Sequence, residues 1–267
     1  MRPNRNRRSL NFLIVPAITV LLAGCGFHGG DQTLEEIVEQ TYKVDATATL
    51  SLSNTDGSVR IYGTDTTEII LQAIKKTYSA ERLSKISVNV SAQPGSVSIE
   101  TNYPPKRTWG LGDRSGTVDY ILVVPQTCKI SRLDLVNGEI LIDGLRGEAV
   151  HANLVNGRLY AHNCFSDVHL SVITGGLDVS YNSWEQRKFS IDAQIVNGHT
   201  HVFIPGDASF HLVAETEDGQ IDNAFAEQAQ RNGEDVSKID LVIGTTPEAE
   251  FRLRAKNGNI QIGEADL

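Results

Sequence analysis

The sequence predicts an all-β fold: a single-domain repeat β-solenoid, β-helix-like, with rungs of about 20 residues and a short N-terminal helix or cap. Three observations carry that expectation. Glycines at 138, 157, 175 and 198 close four similar stretches at intervals of 19, 18 and 23 residues. The stretches read Leu135-Val136-Asn137-Gly138, Leu154-Val155-Asn156-Gly157, Val172-Ile173-Thr174-Gly175 and Ile195-Val196-Asn197-Gly198. Apolar residues recur two and four after each glycine, as in Ile140 and Ile142 or Leu177 and Val179, and three and five before it, as in Leu135 and Leu133 or Val172 and Leu170. A period of two on both sides marks strands with one buried face. The alternate positions are mostly polar: Asp134, Asn153, Ser171 and Gln194 four before the glycine, and Arg132, His151, His169 and Asp192 six before.

Asn-Gly supplies the positive φ of a tight turn, because glycine lacks a Cβ and asparagine tolerates the left-handed region. An antiparallel meander would use each Asn-Gly as a type I′ hairpin. Stacked rungs are the favoured alternative, since only stacking requires the same inward rows in every unit.

Residues 1–25 are expected to be a lipoprotein signal peptide. Arg2, Arg5, Arg7 and Arg8 make a basic start, a short apolar core follows, and Leu22-Ala23-Gly24-Cys25 resembles the bacterial lipobox. The apolar run is shorter than the roughly 20 residues a membrane helix needs. By that resemblance Cys25 becomes the lipidated first residue, and Gly26 in place of an aspartate points to the outer membrane. Of 24 basic and 33 acidic residues only those four arginines precede Cys25, so the remainder keeps 20 basic residues and a net charge of −13. Such an acidic surface argues against nucleic acid as a partner.

Residues 26–46 are expected to hold a Gly-rich tether and then a short amphipathic helix. Leu34, Ile37 and Val38 fall at helical spacing among Glu35, Glu36 and Glu39. The β-repeat domain is expected over 47–267. Asp56-Gly57 opens it, with Val59 and Ile61 two and four residues on. Pro94-Gly95, Gly116, Asp218-Gly219 and Asn257-Gly258 are read as continuing the frame. Residues 79–85 read as a turn or short helical excursion, and 102–114 and 223–235 as loops outside the repeat.

The run Val123-Val124-Pro125, then Leu133-Asp134-Leu135-Val136-Asn137-Gly138-Glu139-Ile140, Gly144, Gly147 and Val155-Asn156-Gly157, resembles the DUF4097 "putative adhesin" β-strand repeat family. Ser58-Val59-Arg60-Ile61-Tyr62-Gly63 resembles that family's first repeat, and the resemblance spans about residues 45–263. It implies a β-solenoid-like fold, a bacterial envelope or surface location, and no established enzymatic activity.

Candidate chemistry is sparse. If rungs stack, His151, His169 and Asp192 form an outward ladder about 4.8 Å apart, a weak candidate for a metal that His199 and His201 could extend. Without a recognised ligand spacing, a run of solvated polar residues is the plainer account. There is no Gly-x-Ser-x-Gly elbow and no phosphate-binding glycine loop. Asn137, Asn156, Asn197 and Asn257 stand beside Gly138, Gly157, Gly198 and Gly258, while Thr174 beside Gly175 interrupts what would be an asparagine ladder of structural purpose. Val136, Val155, Ile173 and Val196 form a second row, expected to be core or half-buried; facing out, it would mark a partner surface. Cys128 and Cys164 are expected as free or buried thiols, being nearly two turns apart in the repeat frame.

The expected function is therefore a lipid-anchored protein of a bacterial envelope, a structural or adhesin-like binding module without catalysis. Its expected contacts are the membrane, through the N-terminal lipid, and an unknown protein or glycan; no cofactor is expected. The competing class is a carbohydrate-active β-helix enzyme of the envelope, which requires converging acids on one strand face.

Overall fold

The computed structural model describes residues 33–105, 116–225 and 236–265, together with the backbone of a strand at 19–21. Cys25, the tether at 27–32 and most of both long loops lie outside the described residues. In chain order the elements are β1 (Thr19–Leu21), β2 (Leu34–Lys43), β3 (Thr49–Thr64), β4 (Glu68–Thr77), α1 (Ala80–Lys85), β5 (Ser87–Gln93), β6 (Ser96–Asn102) and β7 (Thr117–Pro125). There follow β8 (Lys129–Asp143), β9 (Ala149–His162), β10 (Asp167–Ser180), β11 (Phe189–Ile204), β12 (Phe210–Asp218), β13 (Ile221–Asn223), β14 (Lys238–Ile243) and β15 (Ala249–Glu264). The protein is all-β, built as one large open sheet of parallel and antiparallel pairs.

Six long strands, β3, β8, β9, β10, β11 and β15, run parallel side by side. Their glycines align in one column, Gly57, Gly138, Gly157, Gly175, Gly198 and Gly258, with φ between 132° and 159°. The column explains a break in the apolar pattern. Inward residues lie three and five before the glycine but two and four after it, so strict alternation would turn the second half of each strand inside out. The positive-φ glycine absorbs the odd residue, and both arms of every strand bury their apolar side in one core. Gly157 shows how tight the column is: a Cβ there would lie 1.8 Å from the Gly138 carbonyl oxygen.

The links between these strands line the core's remaining side. Leu145, Cys164, Phe165, Tyr181 and Ala208 are buried there. Successive links bond to one another, as Phe165 N–H does to the Leu145 carbonyl at 2.9 Å. Around Phe165 and Tyr181 the rings of Trp184, Phe189, Phe210 and Phe251 pack mostly edge to face or tilted, which aromatic quadrupoles favour, with Trp184 stacked on Phe251.

Three expectations are corrected. The segment expected as a helix is strand β2, antiparallel to β4 along its full length. Its β-branched Ile37, Val38 and Thr41 and aromatic Tyr42 suit a strand. The acidic Glu36, which suggested a helix start, instead reaches Lys75 of β4 at 2.7 Å. The backbone of β1, within the stretch expected as a signal peptide, pairs in turn with β2.

Pro94-Gly95 is not a bend of the column. Gln93 pairs with Ser96, which leaves those two residues as the loop of the β5–β6 hairpin. Beside β3, the single long strand is replaced by two: β6 pairs with its first arm and β7 with its second. The third correction concerns order. Units do not stack in sequence: β15 lies between β11 and β12, so Gly258 neighbours Gly198, and Asp218 pairs with Asn257. A full-length strand with its own bend glycine satisfies both arms of β11, whereas β12 and β13 are separate short pieces.

Candidate functional site

The bend divides the outer surface of the parallel strands in two. On the first arm, residues six before the glycine align as His151, His169, Asp192 and Arg252. Residues four before align as Asp134, Asn153, Ser171, Gln194 and Arg254. Between these rows runs a groove of about 490 Å³, crossing the strands. Outward side chains of parallel strands in register must form such rows, since equivalent residues sit one strand spacing apart.

The groove is held by lateral bonds. Asn153 Nδ2 donates to Asp134 Oδ1 at 2.8 Å, and Gln194 Nε2 to Ser171 Oγ at 3.3 Å. Arg132 pairs with Asp134, and Arg254 Nη2 donates to Asp192 Oδ1 at 2.7 Å. The His151 and His169 rings lie 4.9 Å apart, and His169 Nδ1 is 3.9 Å from Asp192 Oδ2. His151 Nδ1 lies 3.3 Å from the Ser131 carbonyl oxygen. The result is a strip of amides, imidazoles, hydroxyls and guanidinium groups, already oriented, with spare hydrogen-bonding capacity toward solvent.

These residues do not make a metal shell. A zinc site gathers three or four ligands at roughly 2.0–2.3 Å, whereas one Asp192 oxygen is engaged by Arg254. Among the described residues no three His, Cys, Asp or Glu side chains are placed to hold a metal ion. His199 and His201 lie beyond the bend, on the second arm, where His201 Nδ1 meets Asp178 Oδ1 at 3.0 Å. They cannot extend the His151–His169 row. Nor does the groove gather acids: of its lining residues, Asp192 alone carries a carboxylate. Hydrolysis of a glycosidic bond ordinarily needs two carboxyl groups flanking the bond. Arg254 sits four before Gly258, so the repeat frame already holds the signal that places it in this row, although sequence reading did not single it out.

At the bend itself the asparagine amides bond along the column. Asn156 Nδ2 donates to Asn137 Oδ1 at 3.0 Å, Asn137 to Asp56 Oδ1 at 2.7 Å, and Asn257 to Asn197 Oδ1 at 2.7 Å. Thr174 occupies the gap between Asn156 and Asn197. The neighbouring row faces outward rather than into the core: Val136, Ile173 and Val196 are 38%, 45% and 38% exposed, with Val155 half-buried. Leu135, Leu154, Val172 and Ile195 take the inward slot, and in a strand the next residue points away. Cys128 and Cys164 are buried free thiols, each pushed up to about 12 by burial.

The fold has counterparts among solved structures. It is similar to a putative cell adhesion protein from Clostridium sporogenes. The likeness has a TM-score of 0.50 at 15% identity and covers 85% of this chain and 99% of that one. A putative adhesin from Bacteroides fragilis matches over 86% of this chain and 97% of its own, at 12% identity and a TM-score of 0.31. No known family profile and no curated protein matches the sequence. Among the described residues, no helix is long and apolar enough to cross a membrane.

Proposed function

We propose that the chain is a non-catalytic, adhesin-like binding module of a bacterial envelope, anchored by lipid on Cys25. Its parallel strands are read as the rungs of a solenoid whose flat faces present side-chain rows to a partner. The observation that carries this is the first-arm groove. Its polar groups are fixed to one another across the strands, spaced by the sheet, and oriented without converging on a reaction centre. Pre-oriented hydrogen-bonding side chains suit an extended polar ligand, because little rotamer entropy is lost on contact. The fold's similarity to the Clostridium sporogenes protein agrees with this role.

The test is capture from bacterial envelope extract by the immobilised chain, beside an Asn153→Ala/Gln194→Ala variant that melts at the same temperature. A glycan or protein retained by the wild type and lost by the variant is the expected result. Equal capture by both, or by neither, would remove the groove from consideration. Anchoring is tested by radiolabelled palmitate, which is expected to label the wild type and not Cys25→Ser; equal labelling would refute it.

A further inference from the structure

The outer side of the second arm is chemically unlike the groove. On β11, His199, His201 and Phe203 occupy alternate outward positions, and their rings succeed one another at 4.8 and 6.3 Å between centroids. Two of these rings lie over glycines of adjacent strands. Gly263 of β15 is in register with Phe203, and a Cβ there would come within 2.8 and 2.9 Å of the Phe203 ring. Gly176 of β10 is in register with His199, and a Cβ there would come within 3.1 Å of His199 Nε2.

Neither glycine has the positive φ of the bend column, so the backbone does not demand glycine at either place. A glycine inside a strand weakens it and often marks a close approach by another group. Here the approaching group is a ring, which takes the space a side chain would fill; Phe203 is nonetheless 37% exposed. Two strands away on β9, Tyr160 and His162 add a second ring pair at 5.9 Å. Hydrogen-bonding groups stand among the rings: Asp178, held by His201, on β10, and Asn259 and Gln261 in register with His199 and His201 on β15. Arg158 and Asp178 lie on the same face, so it carries charges of both signs.

We propose that this face is a stacking platform for the sugar rings of a neutral polysaccharide. A pyranose has an apolar C–H face bordered by hydroxyls. The Phe203 and imidazole rings match the first, and Asp178, Asn259 and Gln261 match the second. A polyanion would need a face of positive sign, which the mixed charges do not provide. The proposal rests on the binding-module reading but uses a surface separate from the groove.

The experiment is native electrophoresis of the full chain through plain gels and gels cast with dextran, mannan or hydroxyethylcellulose. Three variants run alongside: Phe203→Ala, which removes a ring; Gly263→Thr, which keeps the ring but forces it off the sheet; and the groove variant Asn153→Ala/Gln194→Ala. Each is first shown by circular dichroism to melt cooperatively. The expected result is that at least one polysaccharide retards the wild type and the groove variant, while both face variants run as in plain gel. Absence of retardation in all three gels overturns the proposal. So does retardation that either face variant keeps or that the groove variant loses. Capture in the envelope experiment without retardation here would leave the module standing and remove only this platform.

Discussion

Gly157 combines a φ of 137° with a carbonyl oxygen so near that a Cβ would sit 1.8 Å from it. Substitution meets both backbone strain and a backbone clash, and the clash cannot relax without parting two strands. Gly157→Val is expected to destabilise by more than about 3 kcal/mol, read as a large fall in melting temperature or a failure to fold. An unchanged melting temperature would contradict the bend. The buried thiols make a subtler prediction. Burial pushes Cys128 and Cys164 up to about 12, because a thiolate there would lose its hydration. As pH rises past the ordinary thiol range, only the unfolded chain ionises. Their contribution to stability is therefore complete below about pH 9 and declines from there toward about pH 12. Melting temperature should fall from pH 9 to 11, less steeply in Cys164→Ala; equal slopes would exclude that thiol as a cause.

Alternation along a strand decides what each apolar row does. Val172 is buried and Ile173 is 45% exposed, although they are adjacent and chemically alike. Ile173→Ser is expected to change stability by no more than about 0.5 kcal/mol, and Val172→Ser to cost roughly 2–3 kcal/mol. Urea unfolding of the two variants checks this, and similar losses in both would mean the row at the bend is core after all. The arms, the bend glycines and the first-arm rows were readable in the sequence because each depends on residues within one strand of its neighbours. Asn137, Asn156 and Gly157 mark their positions locally. The outward direction of Val136 was not readable, since it depends on how the chain enters the bend. Strand β2 was missed for a related reason: Leu34, Ile37 and Val38 fit a helical stripe equally well, and the choice is made by pairing with β4, a strand well along the chain that meets it in register at Thr41 and Ile70. Gly176 and Gly263 carry no local mark of their role, since only strand register sets them beside the His199 and Phe203 rings.

Across the whole molecule, parallel strands form the middle and antiparallel ones the ends, β2 with β4 on one side and β12 with β14 on the other. The edge strand β14 carries Lys238 and Asp240, charges that discourage pairing with another sheet. Its interior is less forgiving. Because β15 fills a slot between β11 and β12, deleting residues 249–267 would open two strand edges at once. The shortened chain is expected to lose cooperative thermal unfolding and to aggregate, whereas a repeat stacked in chain order would merely lose its last unit. A sharp two-state transition in the deletion variant would contradict the strand order.

That placement of β15 also has a meaning in time. The slot beside β11 is filled by residues synthesised after β12, β13 and β14, so no growing chain can complete this sheet from its first strand onward. Until residues 249–264 arrive, β11 presents an open edge and part of the shared core is exposed, the condition in which β-rich chains are prone to misassembly. Folding to the finished state is thus withheld until late in synthesis, and the last long strand to be made is the one that closes the interior of the sheet.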